Sequence, residues 1–250
     1  MPTSPSGTAR FARFAYPPNA LGYCGPPDAG HLLAHGSAGV DDREVAARAR
    51  RFEGAWPYLE VIASAAGIDD PLDPRVVEAY WVGNELTDLV DPAFPAWLTD
   101  RFRGQGGGFW EDLAPGSEGL ARPHHSFHVF AVYPWVGLLG RGPAVALSVL
   151  DRCRIRWGEV VSVSGEEAEV RSRPLVWDGK RLDLGDERTE RVRREADGRA
   201  LATGVAVGDT VALHWDWVCD RLAPAGAEAL VTVSAAQLEL ANRHLAAVRG

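Results

Sequence analysis

Three histidines stand close together in segment 124–128, whose sequence is His-His-Ser-Phe-His. If the segment is helical, His124 and His128 lie one turn apart on one face, a spacing that pairs of metal ligands use. No glutamate follows His124 directly, so the segment lacks the HExxH pattern of zinc hydrolases. Imidazole titrates near neutral pH, so the same side chains could move protons. His124 and His128 are therefore candidate acid-base catalysts or ligands, unless the histidines only make hydrogen bonds at a helix start.

A second candidate group combines a carboxylate with aromatic rings. Glu85 follows Tyr80 and Trp81 by about one helical turn. If Glu85 shares their buried face, burial would raise its pKa and suit it to general acid-base catalysis. The alternative is a solvated glutamate at a helix end. Tyr80 and Trp81 are candidate ligand-binding residues, since aromatic side chains can stack on a flat ligand.

The segment 214–217 mixes an imidazole, a carboxylate and two indoles. In a strand, His214 and Asp216 would share one face while Trp215 and Trp217 share the other. The polar face could line a site, and the indole face could either belong to the core or contact a ligand. Trp215, Asp216 and Trp217 are therefore candidate ligand-binding residues.

Cysteine usage and the absence of motifs narrow the cofactor classes. Cys24, Cys153 and Cys219 are odd in number and widely spaced, so we expect free thiols without a disulfide framework. Walker A, GxGxxG, GxSxG and kinase patterns are absent from the sequence, so we expect no nucleotide cofactor.

The composition limits the classes of partner that the protein is expected to bind. The chain has 250 residues, is 46% hydrophobic and 24% charged, and is typical of a soluble globular protein. A net charge of −8 argues against a nucleic-acid partner. Apolar stretches such as 129–139 are shorter than the ~20 residues of a membrane span, and the first residues lack a signal-peptide pattern. We therefore expect a cytoplasmic protein that has no membrane partner, and a homodimer stays open.

The order of elements indicates an α+β fold. Helical patterns cover 41–66, with Pro57 expected to kink or split the helix, then a helix from Asp73-Pro74, then 94–102 and 124–139. After residue 150 the period changes to two, which predicts strands at 155–163, 168–176, 182–193 and 209–217 around a polar loop at 195–199. A final helix is predicted at 224–248. We expect a helical domain over 1–150, a small β-barrel over 151–222 and a C-terminal helix over 223–250.

The barrel segment carries phrases of a known family. Cys153 is followed by Gly158-Glu159-Val160, and later Gly208-Asp209-Thr210-Val211 precedes His214. In this order the segment resembles the HypC/HupF hydrogenase-maturation chaperones, which are small OB-type β-barrels. The resemblance implies that Cys153 and His214 bind an iron carrying cyanide and carbon monoxide. We therefore expect the Cys153 sulfur to lie within about 4–6 Å of a His214 ring nitrogen. An adjacent cation or imidazolium should lower the pKa of the thiol. Thiolate and imidazole are plausible iron ligands.

Two functions follow as expectations. The first is a metallochaperone-like accessory protein that binds iron or a maturation partner protein through Cys153 and His214. The alternative is a cofactor-independent enzyme in which Glu85, His124 or His128 is the acid-base catalyst for a small aromatic substrate, for example in a Pictet–Spengler-type condensation of an aromatic amine with a carbonyl. Glu85 and at least one of His124 or His128 should then line one pocket. The chain as a whole also resembles an uncharacterised actinobacterial family through 15–19, 21–26 and 124–130, which implies no particular activity.

Overall fold

The structure is a computed structural model that describes residues 5–89, 94, 102, 108–110, 113 and 116–249. Within these ranges the first part is helical. Its helices are α1 (Gly7–Ala20), α2 (Gly30–Ala38), α3 (Arg43–Ala49), α4 (Trp56–Ala66), α5 (Pro74–Trp81), α6 (His125–Phe127), α7 (Trp135–Leu138) and α8 (Pro143–Cys153). The helix predicted over 94–102 falls largely outside the described residues.

Prolines divide the predicted helices. The pattern over 41–66 forms two helices, because α4 begins afresh at Trp56 with Pro57 in its first turn, where the missing N–H costs nothing. The helix predicted over 124–139 is wrong as one element. It consists of α6, a π-helical segment (His128–Val132) and α7, separated by Tyr133 in an extended conformation. Proline disfavours the helical conformation of the residue before it. Pro134 therefore keeps Tyr133 out of a continuous helix.

The second part is dominated by a closed sheet. Its strands pair in the order β1 (Arg156–Ser164), β2 (Glu167–Ser172), β5 (Arg188–Arg193), β9 (Trp217–Arg221) and β8 (Thr210–His214), and β8 pairs again with β1. The interior is apolar because alternate residues point inward, and Val160, Val170 and Val211 are fully buried there. The helix α9 (Pro224–Ala247) follows, so the predicted C-terminal helix is confirmed.

The remaining strands form two small hairpins. β3 (Leu175–Trp177) pairs with β4 (Leu182–Leu184), and β6 (Glu195–Ala196) pairs with β7 (Arg199–Ala200). The strand predicted over 168–176 is therefore two strands, and the loop predicted at 195–199 is a hairpin. The coarse α+β prediction is confirmed. None of the helices in the described ranges combines the length and the apolarity that crossing a bilayer requires.

Part of the closed sheet shares a hydrophobic core with the helices, while the interior of the sheet forms a cluster of its own. Phe11, Phe14 and Trp81 from the helical part belong to the same buried cluster as Ala212 of β8 and Trp215, which directly follows β8. Because the last turn of α8 and the end of β8 both reach this cluster, the side chains at their ends come close together. The candidate site lies there.

Candidate functional site

A cavity of about 220 Å³ opens between the helical part and the end of β8. Its lining is mainly aromatic, with histidine and cysteine side chains among the rings. The lining residues are Pro18, Tyr23, Cys24, Phe52, Gly54, Ala55, Tyr80, Trp81, His125, His128, Tyr133, Pro134, Trp135, Val149, Cys153, His214 and Trp215. If the three histidines among them are neutral, none of these described residues carries a charged side chain at neutral pH.

Three potential metal ligands converge in this cavity. One atom each from His125, Cys153 and His214 lies within 4.8 Å of the other two. The Sγ of Cys153 is 4.0 Å from the Nε2 of His125. The three residues come from the start of α6, the last residue of α8 and the last residue of β8, and all are buried. The predicted closeness of Cys153 and His214 is confirmed, and His125 joins them.

The ring of His214 is held in one orientation. Its Nδ1–H donates to the backbone carbonyl of Phe14 at 2.7 Å, and its Nε2 is buried without a hydrogen-bond partner among the described residues. Burial is the main cause that lowers the pKa of His214 well below its usual value, so the ring is neutral. A neutral imidazole with Nδ1–H bound to a carbonyl leaves the Nε2 lone pair free, which is the usual arrangement of a metal-binding histidine.

The ring of His125 lies in a chain of hydrogen bonds. Its Nδ1 is 3.1 Å from the Tyr80 hydroxyl, which donates to the Gly54 carbonyl at 2.7 Å, and its Nε2 is 2.9 Å from the carbonyl of Cys153. Burial lowers the pKa of His125 to about 4, so at neutral pH the ring has one N–H. Because a carbonyl can only accept, the 2.9 Å contact has the proton on Nε2, donated to the Cys153 carbonyl. Binding a metal through Nε2 would move this proton to Nδ1, where the Tyr80 oxygen can accept it.

The Cys153 thiol does not have the lowered pKa that was predicted. Burial raises the pKa of this thiol, and the nearby Cys24 raises it further, against a smaller opposing effect of Trp215. The physical reason is that the neighbouring histidines are neutral, so no cation is present to stabilise the thiolate. A bound metal ion would supply that charge and displace the proton.

The comparisons with known proteins give a family. The chain matches the family described as a family of unknown function (DUF6390) over residues 3–248. It belongs to the DUF6390 family. No curated protein and no solved structure matches the chain.

Within this DUF6390 protein, the other predicted site residues divide between the cavity and the outside. Tyr80, Trp81, Trp215 and His128 line the cavity. His124 does not, because its Nδ1 accepts a hydrogen bond from the Ser126 backbone N–H and so caps α6. The prediction that His124 and His128 share one helical face is therefore wrong: α6 begins one residue after His124, and a π-helical segment begins at His128.

Asp216 and Trp217 lie outside the cavity because strand alternation ends at His214. Trp215 has a φ of 51°, a left-handed conformation that turns the chain and brings its indole to the same cavity as His214. Asp216 is exposed and forms an ion pair with Arg152. Trp217 packs edge-on against Tyr16 at 5.1 Å between ring centroids. The predicted faces of this segment are therefore wrong.

Glu85 is also separate from the histidines. It is exposed and lines a different cleft of about 850 Å³, together with Arg10, Glu78 and Asp220. The expected pairing of Glu85 with His124 or His128 in one pocket is not found.

Sequence reasoning missed three features of this cavity. His125 was noticed only as part of the histidine cluster, since no local signal says that α6 begins at residue 125. Cys24 and Tyr23 lie in the loop between α1 and α2, and the half-exposed Tyr23 stacks on Trp215 at 4.5 Å between centroids, at the mouth of the cavity. The sequence signal for Tyr23 and Cys24 is their position between Gly22 and Gly25, since glycine permits tight turns. Both glycines have a positive φ.

Proposed function

We propose that this protein binds one transition-metal ion through His125, Cys153 and His214, with a coordination position open to the aromatic cavity. The observation that carries the proposal is the convergence of one donor atom each from His125, Cys153 and His214 within 4.8 Å of one another. The Nε2 of His214 is buried there without a hydrogen-bond partner among the described residues. Leaving a buried polar atom unpaired costs about 1–3 kcal/mol. A cation bound to this nitrogen would replace the missing hydrogen bond and so remove that cost.

The donor set and its spacing favour a first-row ion such as zinc, iron or copper. Thiolate and imidazole suit these metals, whereas magnesium and calcium prefer oxygen. In a tetrahedral site, metal–sulfur and metal–nitrogen bonds of about 2.3 and 2.1 Å place the two donor atoms ~3.6 Å apart. The 4.0 Å between Cys153 Sγ and His125 Nε2, and the spacing of up to 4.8 Å that includes His214, are slightly longer, so metal binding would require small side-chain shifts.

The same geometry disfavours cofactor-free acid-base catalysis. Burial lowers the pKa of His128 to about 3 and that of His125 to about 4, so at neutral pH neither ring is in the imidazolium form that a general acid needs, and both are weak bases. The carboxylate assigned to that mechanism, Glu85, lies in another cleft. A metal ion can polarise a ligand without needing any of these groups to titrate.

A metallochaperone role is the second candidate. It is favoured by the closeness of Cys153 and His214, the pair that the HypC/HupF resemblance implies, next to the closed sheet expected of a small barrel. Iron would then be cargo, and the stack of Tyr23 on Trp215 would have to open for its release.

The first experiment measures bound metal per chain after purification with zinc, iron(II) or copper. A surface group formed by His31, His35 and Glu44 also brings donor atoms within 4.8 Å of one another, so the background is His31→Ala/His35→Ala. We expect one ion in the background protein and none after Cys153→Ser or His214→Asn. Asparagine can still donate to the Phe14 carbonyl, so the His214→Asn variant removes the ligand and keeps that hydrogen bond. Cys219→Ser, outside the cavity, is the matched control. Equal metal in all variants would contradict the proposal.

The second experiment separates a resident ion from cargo. The protein is co-expressed with hydrogenase-maturation proteins and examined by infrared spectroscopy for cyanide and carbonyl bands. Bands that depend on Cys153, and that move to a partner on mixing, would support the chaperone role. An ion that stays bound through mixing, without such bands, would support a resident centre.

A further inference from the structure

The cavity next to the proposed metal centre restricts what can bind there by size. An engineered apolar cavity of about 150 Å³ binds benzene. At about 220 Å³, this cavity holds one substituted aromatic ring or a small fused pair, and a larger molecule would extend out of it. The indoles of Trp81 and Trp215 and the ring of Phe52 give such a molecule flat surfaces to stack on.

The cavity also restricts the charge of its ligand. Among the described residues that line it there is no arginine, lysine, aspartate or glutamate, so a charged substituent away from the metal would be desolvated without a counter-ion. At the metal, by contrast, one anionic group is favoured. A dication with one thiolate and two neutral imidazoles keeps one net positive charge, which a single anionic donor atom would cancel.

Two further ring nitrogens give the ligand polar contacts. The Nε1 of Trp81 and the Nε2 of His128 belong to cavity-lining residues, are buried and have no hydrogen-bond partner among the described residues. Trp81 can only donate. His128 can donate or accept, because its Nδ1 is 3.1 Å from the Tyr58 hydroxyl and either group can supply the proton of that bond. A small polar substituent on the ring would satisfy either atom.

We propose that the cavity binds a single-ring or fused-ring aromatic molecule with one acidic donor atom, such as a phenol, an aromatic thiol or an azole, and no other charged group. This inference rests on the metal site proposed above. The donor loses its proton to solvent as its bond to the metal forms, and no electrons are transferred. The same argument disfavours ligands that place an ammonium, carboxylate or phosphate group inside the cavity away from the metal.

The test uses three probes of nearly equal size on the cobalt-loaded His31→Ala/His35→Ala protein. 4-Ethylphenol has the acidic donor, 4-ethylanisole lacks the acidic proton, and tyramine adds an ammonium group to the phenol. Binding is followed by the visible spectrum of cobalt and by tryptophan fluorescence, and the cobalt content of the same sample is measured. Cys153→Ser protein is the metal-free control.

We expect 4-ethylphenol to bind and to change the cobalt spectrum, and 4-ethylanisole to leave that spectrum unchanged. Tyramine should bind at least ~100-fold more weakly than 4-ethylphenol, because its ammonium group is desolvated without a counter-ion. Tyramine binding within tenfold of 4-ethylphenol would overturn the charge argument. An unchanged cobalt spectrum with 4-ethylphenol, in protein that contains one cobalt, would overturn the ligand class and leave the metal site standing. Protein that takes up no cobalt would instead overturn the proposed function, and this inference with it.

Discussion

The guanidinium group of Arg156 donates to the backbone carbonyl of Trp215 at 2.7 Å, across 59 residues of sequence. The same side chain donates to the carbonyls of Asp151 and Arg152, at 3.1 and 3.3 Å. Its remaining hydrogen bonds go to both carboxylate oxygens of Glu190. Arg156 therefore ties the last turn of α8, which ends at Cys153, to the turn that follows His214.

Replacing Arg156 should destabilise the fold and separate two of the proposed ligands. We expect Arg156→Met to lower the free energy of unfolding by about 3–5 kcal/mol, because the partly buried Glu190 loses its cationic partner and the carbonyls of Asp151 and Trp215 lose a donor. Glu190 keeps the Ser172 hydroxyl, and the Arg152 carbonyl keeps the backbone N–H of Trp215. Metal affinity should fall as well. Urea unfolding and metal titration measure the two effects. The control is Arg171→Met, since the exposed Arg171–Glu159 pair should contribute at most about 1 kcal/mol. Equal losses in both variants would contradict this role of Arg156.

The buried histidines should make the protein sensitive to acid. Burial lowers the pKa of His124 and of His128 to about 3 and that of His125 to about 4, against about 6.5 in the unfolded chain. The unfolded state therefore binds more protons in this interval, so the stabilisation is complete above about pH 6.5 and is lost as the pH falls towards 4 and 3. Each histidine adds a slope of up to ~1.4 kcal/mol per pH unit.

The measurement is urea unfolding of metal-free protein between about pH 7.5 and pH 4.5. Replacing one buried histidine, as in His128→Gln, should reduce the slope by the contribution of one titrating group. Gly140→Ala, which changes no titratable group and places its Cβ in open space, should leave the slope unchanged. A free energy of unfolding that stays constant over this range would show that the histidines are not held neutral.

Metal binding should release one proton per ion near neutral pH. The two histidine ligands are already neutral, and burial keeps Cys153 as a thiol until the metal displaces its proton. The logarithm of the association constant should rise by about one per pH unit between about pH 6 and pH 8. Calorimetry in buffers with different ionisation enthalpies counts the protons. Release of none, or of two, would be inconsistent with a donor set of one thiol and two neutral imidazoles.

A methyl group at Gly54 should disturb the cavity without touching the metal ligands. A Cβ there would lie 2.7 Å from the Nε2 of His128, so the ring must move. We expect Gly54→Ala to reduce binding of 4-ethylphenol and to leave the bound metal near one ion per chain. Gly140→Ala is the control, because a Cβ at Gly140 meets nothing within 4 Å. Undiminished 4-ethylphenol binding by Gly54→Ala would exclude this part of the cavity from the ligand site.

Local patterns predicted the elements better than their ends. Alternation identified β1, and the apolar spacing of 224–248 identified α9, because each pattern reports one buried face. The ends of the elements were not predicted because they depend on contacts between residues far apart in the sequence. The φ of 51° at Trp215 ends the alternation that would have placed His214 beside Asp216, and Trp215 itself is held by Arg156.

The site was predictable only in part for the same reason. Cys153 and His214 were paired through a resemblance to a family, and the structure places them together. Predicting His125 as a site residue requires knowing where α6 begins. That start is set by His124, whose Nδ1 accepts a hydrogen bond from the Ser126 backbone N–H. The hydrogen bonds of His125 to Tyr80 and to the Cys153 carbonyl span 45 and 28 residues, a distance at which single-sequence patterns carry no information.

X-ray absorption at the metal edge of the zinc-loaded His31→Ala/His35→Ala protein tests the central proposal most directly. We predict one sulfur ligand at about 2.3 Å and two imidazole nitrogens at about 2.0–2.1 Å, with a further light-atom ligand in the open position. The Cys153→Ser variant, which should bind no zinc, should show no absorption at the zinc edge. A zinc ion surrounded only by nitrogen and oxygen in the protein with Cys153 intact would contradict the assignment of His125, Cys153 and His214 as a metal centre.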